Sequence, residues 1–144
     1  MGQENIDYIR INDGDFDITI FPVEINSYLP SFRAEVSCLI SHPTGAFSYN
    51  ASDIWFEKEL VDHFLSSLKA MIDGNCESAK LECMSMYFVF EIKKVELVKL
   101  KCNISIKEFQ PSNDDTILKA SFILGNYDFL NTLYGNLLDL RLPW

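Results

Sequence analysis

The residues whose types and spacing come nearest to a chemical site are the carboxylates Asp13, Asp15 and Asp17, with Glu24 following. Their spacing matches the first, third, fifth and twelfth positions of a helix–loop–helix calcium loop. Such a loop needs glycine at its sixth position for a sharp turn, and Ile18 stands there. The same aspartates alternate with Phe16, Ile18 and Ile20, which is the pattern of a strand with one wet face. A solvated strand edge therefore accounts for them better than a metal loop. The histidines, His42 and His63, are far apart. His63 falls four residues after Glu59, so a helix would set the two side by side, but no HExxH pattern surrounds them. Cys38, Cys76, Cys83 and Cys102 form no CxxC pair and have no partner histidine at zinc spacing. Serines are frequent, yet no GxSxG elbow occurs, and no GxGxxG or GxxxxGK[ST] loop could cradle phosphates. The expectation is a non-enzyme that uses no metal and no cofactor.

Composition narrows the class further. The chain has 144 residues, 48% of them hydrophobic and 23% charged, which is globular composition at single-domain length. A core of this size needs neither a metal nor a disulfide, so the cysteines are expected to be reduced, buried thiols. No apolar run is long enough to span a membrane. The first residues are acidic and polar rather than basic then apolar, and Ile6 stands where a myristoylation signal needs Ser or Thr. A cytoplasmic protein with no membrane partner is the expectation. The formal net charge of −9 disfavours nucleic acid as a partner and favours a basic one.

The elements that would carry these residues follow from periodicity. Ile9 and Ile11, then a turn at Asn12-Asp13-Gly14, then Phe16, Ile18 and Ile20 predict a hairpin, with Pro22 ending its second strand. Phe32, Ala34, Val36, Cys38 and Ile40 alternate with polar residues; His42-Pro43-Thr44-Gly45 reads as a turn, and Phe47, Tyr49 and Ala51 as a fourth strand. A helix capped by Ser52 or Asp53 follows. Leu60, Val61, Phe64, Leu65, Leu68 and Ile72 form its apolar stripe, and Gly74 stops it. The second half repeats this logic without repeating the sequence. Residues 80–92 read as one long strand with Met84, Met86, Phe88 and Phe90 on its core face, and Lys93-Lys94 as a turn. Leu100, Cys102, Ile104 and Ile106 alternate with Lys99, Lys101 and Lys107, which predicts a basic strand face serving a sheet edge or local ion pairs. A last strand spans 117–124, and a helix capped by Asn126 carries Leu130, Leu133, Tyr134, Leu137 and Leu138. The expected architecture is a single α+β domain over 1–144: an antiparallel sheet of about seven strands with two packed amphipathic helices.

The order of packing positions goes beyond any short motif. Trp55 is expected to open the first helix, with Leu60, Phe64 and Leu68 behind it. Gly74 makes a turn, Ala79-Lys80-Leu81 begins a long strand, and FILGNYDFL at 122–130 runs a strand into the last helix. Over residues 32–138 this arrangement resembles the WapI-like immunity proteins of bacterial polymorphic toxin systems. Asn126 departs from their pattern, in which an acidic residue precedes the tyrosine. The resemblance implies a small acidic protein that binds and occludes a cognate secreted toxin domain, a nuclease in view of the acidity, and it brings no catalytic residues. Asp13, Asp15 and Asp17 are then candidate contact residues, with Glu77, Glu82 and the loop residues Asp114 and Asp115. The alternative is an assembly subunit that homo-oligomerises through its strands and C-terminal helix, with the apolar end at Leu140, Leu142, Pro143 and Trp144.

Overall fold

The structure, a computed structural model, describes residues 8–85, 87–96, 99–108, 116–125 and 127–138. It is an α+β fold of eight antiparallel strands in two sheets of four, and two helices. The chain runs β1 (Ile9–Asp13), β2 (Phe16–Asn26), β3 (Ser31–His42), β4 (Gly45–Glu57) and α1 (Lys58–Ile72). It then repeats the order with β5 (Ser78–Glu82), β6 (Phe88–Glu96), β7 (Lys99–Glu108), β8 (Thr116–Leu124) and α2 (Asp128–Leu138). Each half is thus a four-stranded meander closed by one helix, and each helix packs across onto the other half. The first, α1, lies against β5, α2 lies against β1, and the helices touch each other.

Strict alternation makes the inner faces. Ile9, Ile11, Phe16, Ile18, Ile20, Phe32 and Ala34 point inward from the first sheet, and Leu81, Phe88, Phe90, Ile92, Leu100, Cys102 and Ile104 from the second. All belong to one buried cluster with Val61, Phe64, Leu68 and Met71 of α1 and Leu130, Leu133 and Leu137 of α2. Phenylalanines join the layers. The ring of Phe16 lies 4.8 Å from Phe122 of β8, 6.2 Å from Phe90 of β6 and 6.2 Å from Phe129 of α2. Phe56 of β4 meets Phe88 edge-on at 6.1 Å, and Phe64 of α1 meets Phe90 at 6.5 Å.

Four expectations are corrected by long-range pairing. Pro22 does not end β2, which continues to Asn26 with a register shift between Pro22 and Glu24. The short β1 reaches only Ile20 of its partner, so Pro22 lies where that side of β2 is already an edge, and its missing N–H costs no ladder bond there. Trp55 does not open the helix; it lies in β4 opposite Arg33, and Phe56 lies opposite Phe32. Neither Ser52 nor Asp53 caps α1. Its N-cap is Glu57, in extended conformation without a side-chain cap, and Lys58 donates its N–H to the Pro30 carbonyl at 2.8 Å. The run at 80–92 is two strands: the chain turns after Cys83, Met84 is 40% exposed off the strands, and Lys93 and Lys94 lie within β6. Met86, Asn126 and the C-terminal residues 139–144 lie outside the described residues.

Gly74 ends α1 as expected, with φ of +80°. Its N–H bonds to the Met71 carbonyl at 3.1 Å and that of Asn75 to the Ala70 carbonyl at 2.8 Å, a Schellman pair that satisfies the last turn.

Candidate functional site

Two outer sheet faces are left to solvent, and their chemistry differs. On the second sheet Lys80, Lys93, Lys99, Lys101, Lys107 and Lys119 occupy outward positions. Three make short-range ion pairs: Lys80 with Glu82 at 4.0 Å, Lys93 with Glu91 at 3.6 Å and Lys99 with Glu96 at 3.6 Å. Those pairs agree with the local role expected of a lysine strand face. They leave Lys93 and Lys101 directly opposed across the β6–β7 ladder, a like-charge arrangement that weakens a sheet slightly. Since this face collects cations in a chain of net charge −9, the acidic excess lies elsewhere on the surface.

The outer face of the first sheet is acidic and partly aromatic. Outward positions on β2 are Asp17, Thr19 and Phe21, and those facing them on β3 are Leu39, Ser37 and Glu35. Phe21 is 46% exposed, and its ring stacks on Tyr8 at 6.0 Å between centroids. The sheet's two arginines are already engaged. Arg10 clasps Asp17 through both nitrogens, Nε to Oδ1 at 3.1 Å and a terminal nitrogen to Oδ2 at 2.9 Å. The hydrogen bond and charge of Asp17 raise the guanidinium pKa above its ordinary value. Arg33 reaches Glu24 at 3.3 Å. The Glu35 side chain is exposed, and its carboxylate makes no hydrogen bond or ion pair among the described residues.

Two open recesses mark this face. One, of about 380 Å³, lies over β2, β3 and β4 and is lined by Thr19, Phe21, Glu35, Ser37, Asn50 and Ser52. The other, of about 350 Å³, lies at the first hairpin beside Asp13, Phe16, Asp17, Leu39 and Ser41. The larger recess owes its place to a bulge. Ala34 pairs with Ile54 and Val36 with Ala51, so Ser52 and Asp53 together oppose Glu35. The extra residue switches which residues of β4 face the core. It also sets Asp53 at φ of +66°, a left-handed conformation that aspartate tolerates and β-branched residues do not. Asp53→Val is therefore expected to cost about 1–2 kcal/mol in urea unfolding, while Asp53→Gly holds or gains stability. Because Asp53 is exposed, that difference reads backbone strain and not lost packing; equal stability of the two variants would contradict the strained bulge.

The residues proposed from sequence divide between the sheets. Asp13 closes β1 and is exposed, Asp15 sits in the turn with its carbonyl accepting the Ser41 N–H at 2.9 Å, and Asp17 is held by Arg10. These three share one hairpin. Glu77 precedes β5 of the second sheet and Glu82 ends it: Glu77 is exposed, and its carbonyl takes the Lys94 N–H at 2.8 Å, while Glu82 is half-buried near Lys80. Asp114 and Asp115 lie outside the described residues. Sequence reasoning passed over Glu35 and Phe21. The available signal was phase, because Phe21 and Leu39 are apolar residues on the polar beat of alternating strands.

The other chemical candidates separate in space. Asp17 and Glu24 spend their carboxylates on different arginines, and no group of three or more His, Cys, Asp or Glu among the described residues is placed to hold a metal ion. His63 is exposed without a hydrogen bond to Glu59, and Asp62 pairs with Lys58 at 2.6 Å. The four cysteines are free thiols. No helix among the described residues is long and apolar enough to cross a membrane. Compared with known proteins, the chain matches no family model, no curated protein and no solved structure.

Proposed function

We propose that this chain is an immunity protein that binds a cognate secreted bacterial toxin domain, a nuclease, in the cytoplasm and occludes it without catalysis. The observation that supports this most is the outer face of the first sheet. There exposed aromatic side chains, Tyr8 and Phe21, adjoin Glu35, a carboxylate with no cation partner among the described residues, while the turn carboxylates Asp13 and Asp15 lie at the far end of the same hairpin. Aromatic anchors give a protein interface its area and desolvation, and acidic groups steer a basic partner toward it. A nuclease domain presents such a partner, because its substrate groove must attract phosphates. The sequence resemblance to the WapI-like immunity proteins is a second ground for this reading, without its tryptophan feature, since Trp55 lies in β4 and does not open α1.

The test is co-expression with the C-terminal domain of a secreted protein encoded beside this one, scored by bacterial growth and by recovery of a complex. Rescue with a 1:1 complex is the expected result, with an association rate that falls steeply as salt rises. Two folded proteins that neither rescue nor co-purify would overturn the reading. A second reading, an assembly subunit that self-associates, draws on Ile117 and Ile123 of β8 and Leu138 of α2, each more than half exposed. Light scattering separates the two, since only the assembly subunit forms a stable homo-oligomer by itself.

A further inference from the structure

We propose that the recess at the β3–β4 bulge is a receptor for an arginine side chain of a basic partner protein, with Glu35 as its anion and Phe21 as its stacking platform. Phe21 and Glu35 are direct cross-strand partners on the outward face of β2 and β3, and such partners hold their Cβ atoms roughly 5 Å apart. A carboxylate and an aromatic ring are thus presented side by side, both exposed, on interior strands that fix their backbones. Stacking Tyr8 on Phe21 restrains the ring further.

In this sheet Arg10 is bound to Asp17 and Arg33 to Glu24, whereas Glu35, beside Asp53 at the bulge, has no cation partner among the described residues. None of the described cations pairs with Glu35, which leaves the position for one from outside. Arginine fits it better than lysine. Its planar fork can take both carboxylate oxygens while its face lies against an aromatic ring, whereas an ammonium is a hydrated point charge. The rim adds neutral hydrogen-bonding groups, Thr19, Ser37, Asn50 and Ser52, that suit the remaining guanidinium protons. A recess of about 380 Å³ has room for such a side chain. The lysine face of the second sheet offers the opposite charge, and three of its six lysines already pair with glutamates.

This inference deepens the immunity reading, because the arginine would belong to the toxin domain, but its test does not require the toxin. The isotope-labelled protein is titrated with hexa-arginine and, separately, with hexa-lysine, and amide resonances are followed. Hexa-arginine should shift Phe21, Glu35, Ser37 and Asn50 and bind several-fold more tightly than hexa-lysine. Glu35→Gln and Phe21→Ala should each weaken it by about tenfold, with unchanged circular dichroism since both side chains are on the surface. Equal binding of the two peptides, shifts centred on Asp13 and Asp15, or full affinity in Glu35→Gln would each overturn the receptor. Growth rescue with no arginine preference would keep the immunity reading and discard this site. An arginine preference without rescue by any neighbouring toxin domain would do the reverse.

Discussion

Replacing Phe16 by alanine is expected to remove about 3–5 kcal/mol of stability, a large part of the roughly 5–15 kcal/mol a domain of this kind has in total. Phe16 is 2% exposed, and its ring meets rings of β6, β8 and α2 together. Truncation removes its transfer energy and leaves a void between layers that cannot collapse without moving a whole sheet. The same geometry predicts that both halves unfold together, since each helix covers a strand of the other half. Urea unfolding followed by far-ultraviolet circular dichroism and by tryptophan fluorescence should give coincident transitions, shifted in parallel in the variant. Phe47→Ala is the control. Phe47 is 62% exposed, so its loss should stay within about 0.5 kcal/mol. Two separate transitions, or a Phe16 variant as stable as the control, would show that the sheets do not share one core.

The second large effect concerns the buried thiols. Burial raises the pKa of Cys38 to about 11, with a smaller push from the Asp17 charge, and that of Cys102 to about 12, with a smaller push from Asp13. Reaction with iodoacetamide runs through the thiolate. At pH 8 these shifts lower the reactive fraction about a hundredfold at Cys38 and about a thousandfold at Cys102, before burial itself is counted. Cys83 is buried too, its sulfur accepting the Phe88 N–H at 3.3 Å. Only Cys76, half-buried and bonded to the Ser78 carbonyl at 3.1 Å, should label readily in the folded protein. Peptide mapping after a short exposure checks this; uniform labelling of all four cysteines without denaturant would contradict it.

Those thiols also set an alkaline limit. A folded-state pKa above the unfolded value of 9.0 means the stabilisation is complete below pH 9 and is lost as pH rises toward 11 to 12. Each thiol removes about 1.4 kcal/mol per pH unit in that window, so the pair costs about 5 kcal/mol between pH 9 and 11. The double variant Cys38→Ala and Cys102→Ala, less stable at pH 7 for want of packing, should fall less steeply. Parallel stability curves for the two proteins would refute the linkage.

Much of the fold was legible because alternation is a local property. Residues 32–40 and 100–106 put every second side chain in the core, as their sequence demanded. The left-handed turn at Gly74 and the hairpin at Gly14 rest on chemistry within a few residues. The candidate site was legible only in part. The acidic hairpin was visible in the run of aspartates, but nothing local says that Arg10 takes up Asp17 while Glu35 stays unpaired. That depends on which strand lies beside which.

The sequence by itself determined the α+β class, the inward set of most strands, most of each helix's stripe (though not Met71, and not the exposure of Leu138), and an acidic composition without a recognisable catalytic motif, all of which follow from period and composition. Tertiary structure decided the division into two sheets, the crossing of each helix to the other half and the membership of Trp55 in β4. It also decided the bulge that sets Phe21 and Glu35 beside a recess. The physical reason is that a strand's period is written in its own residues, whereas its end and its register are set by the hydrogen bonds of a neighbour distant in the chain. One inserted residue, at Ser52-Asp53, is enough to reverse which side chains of β4 meet the core.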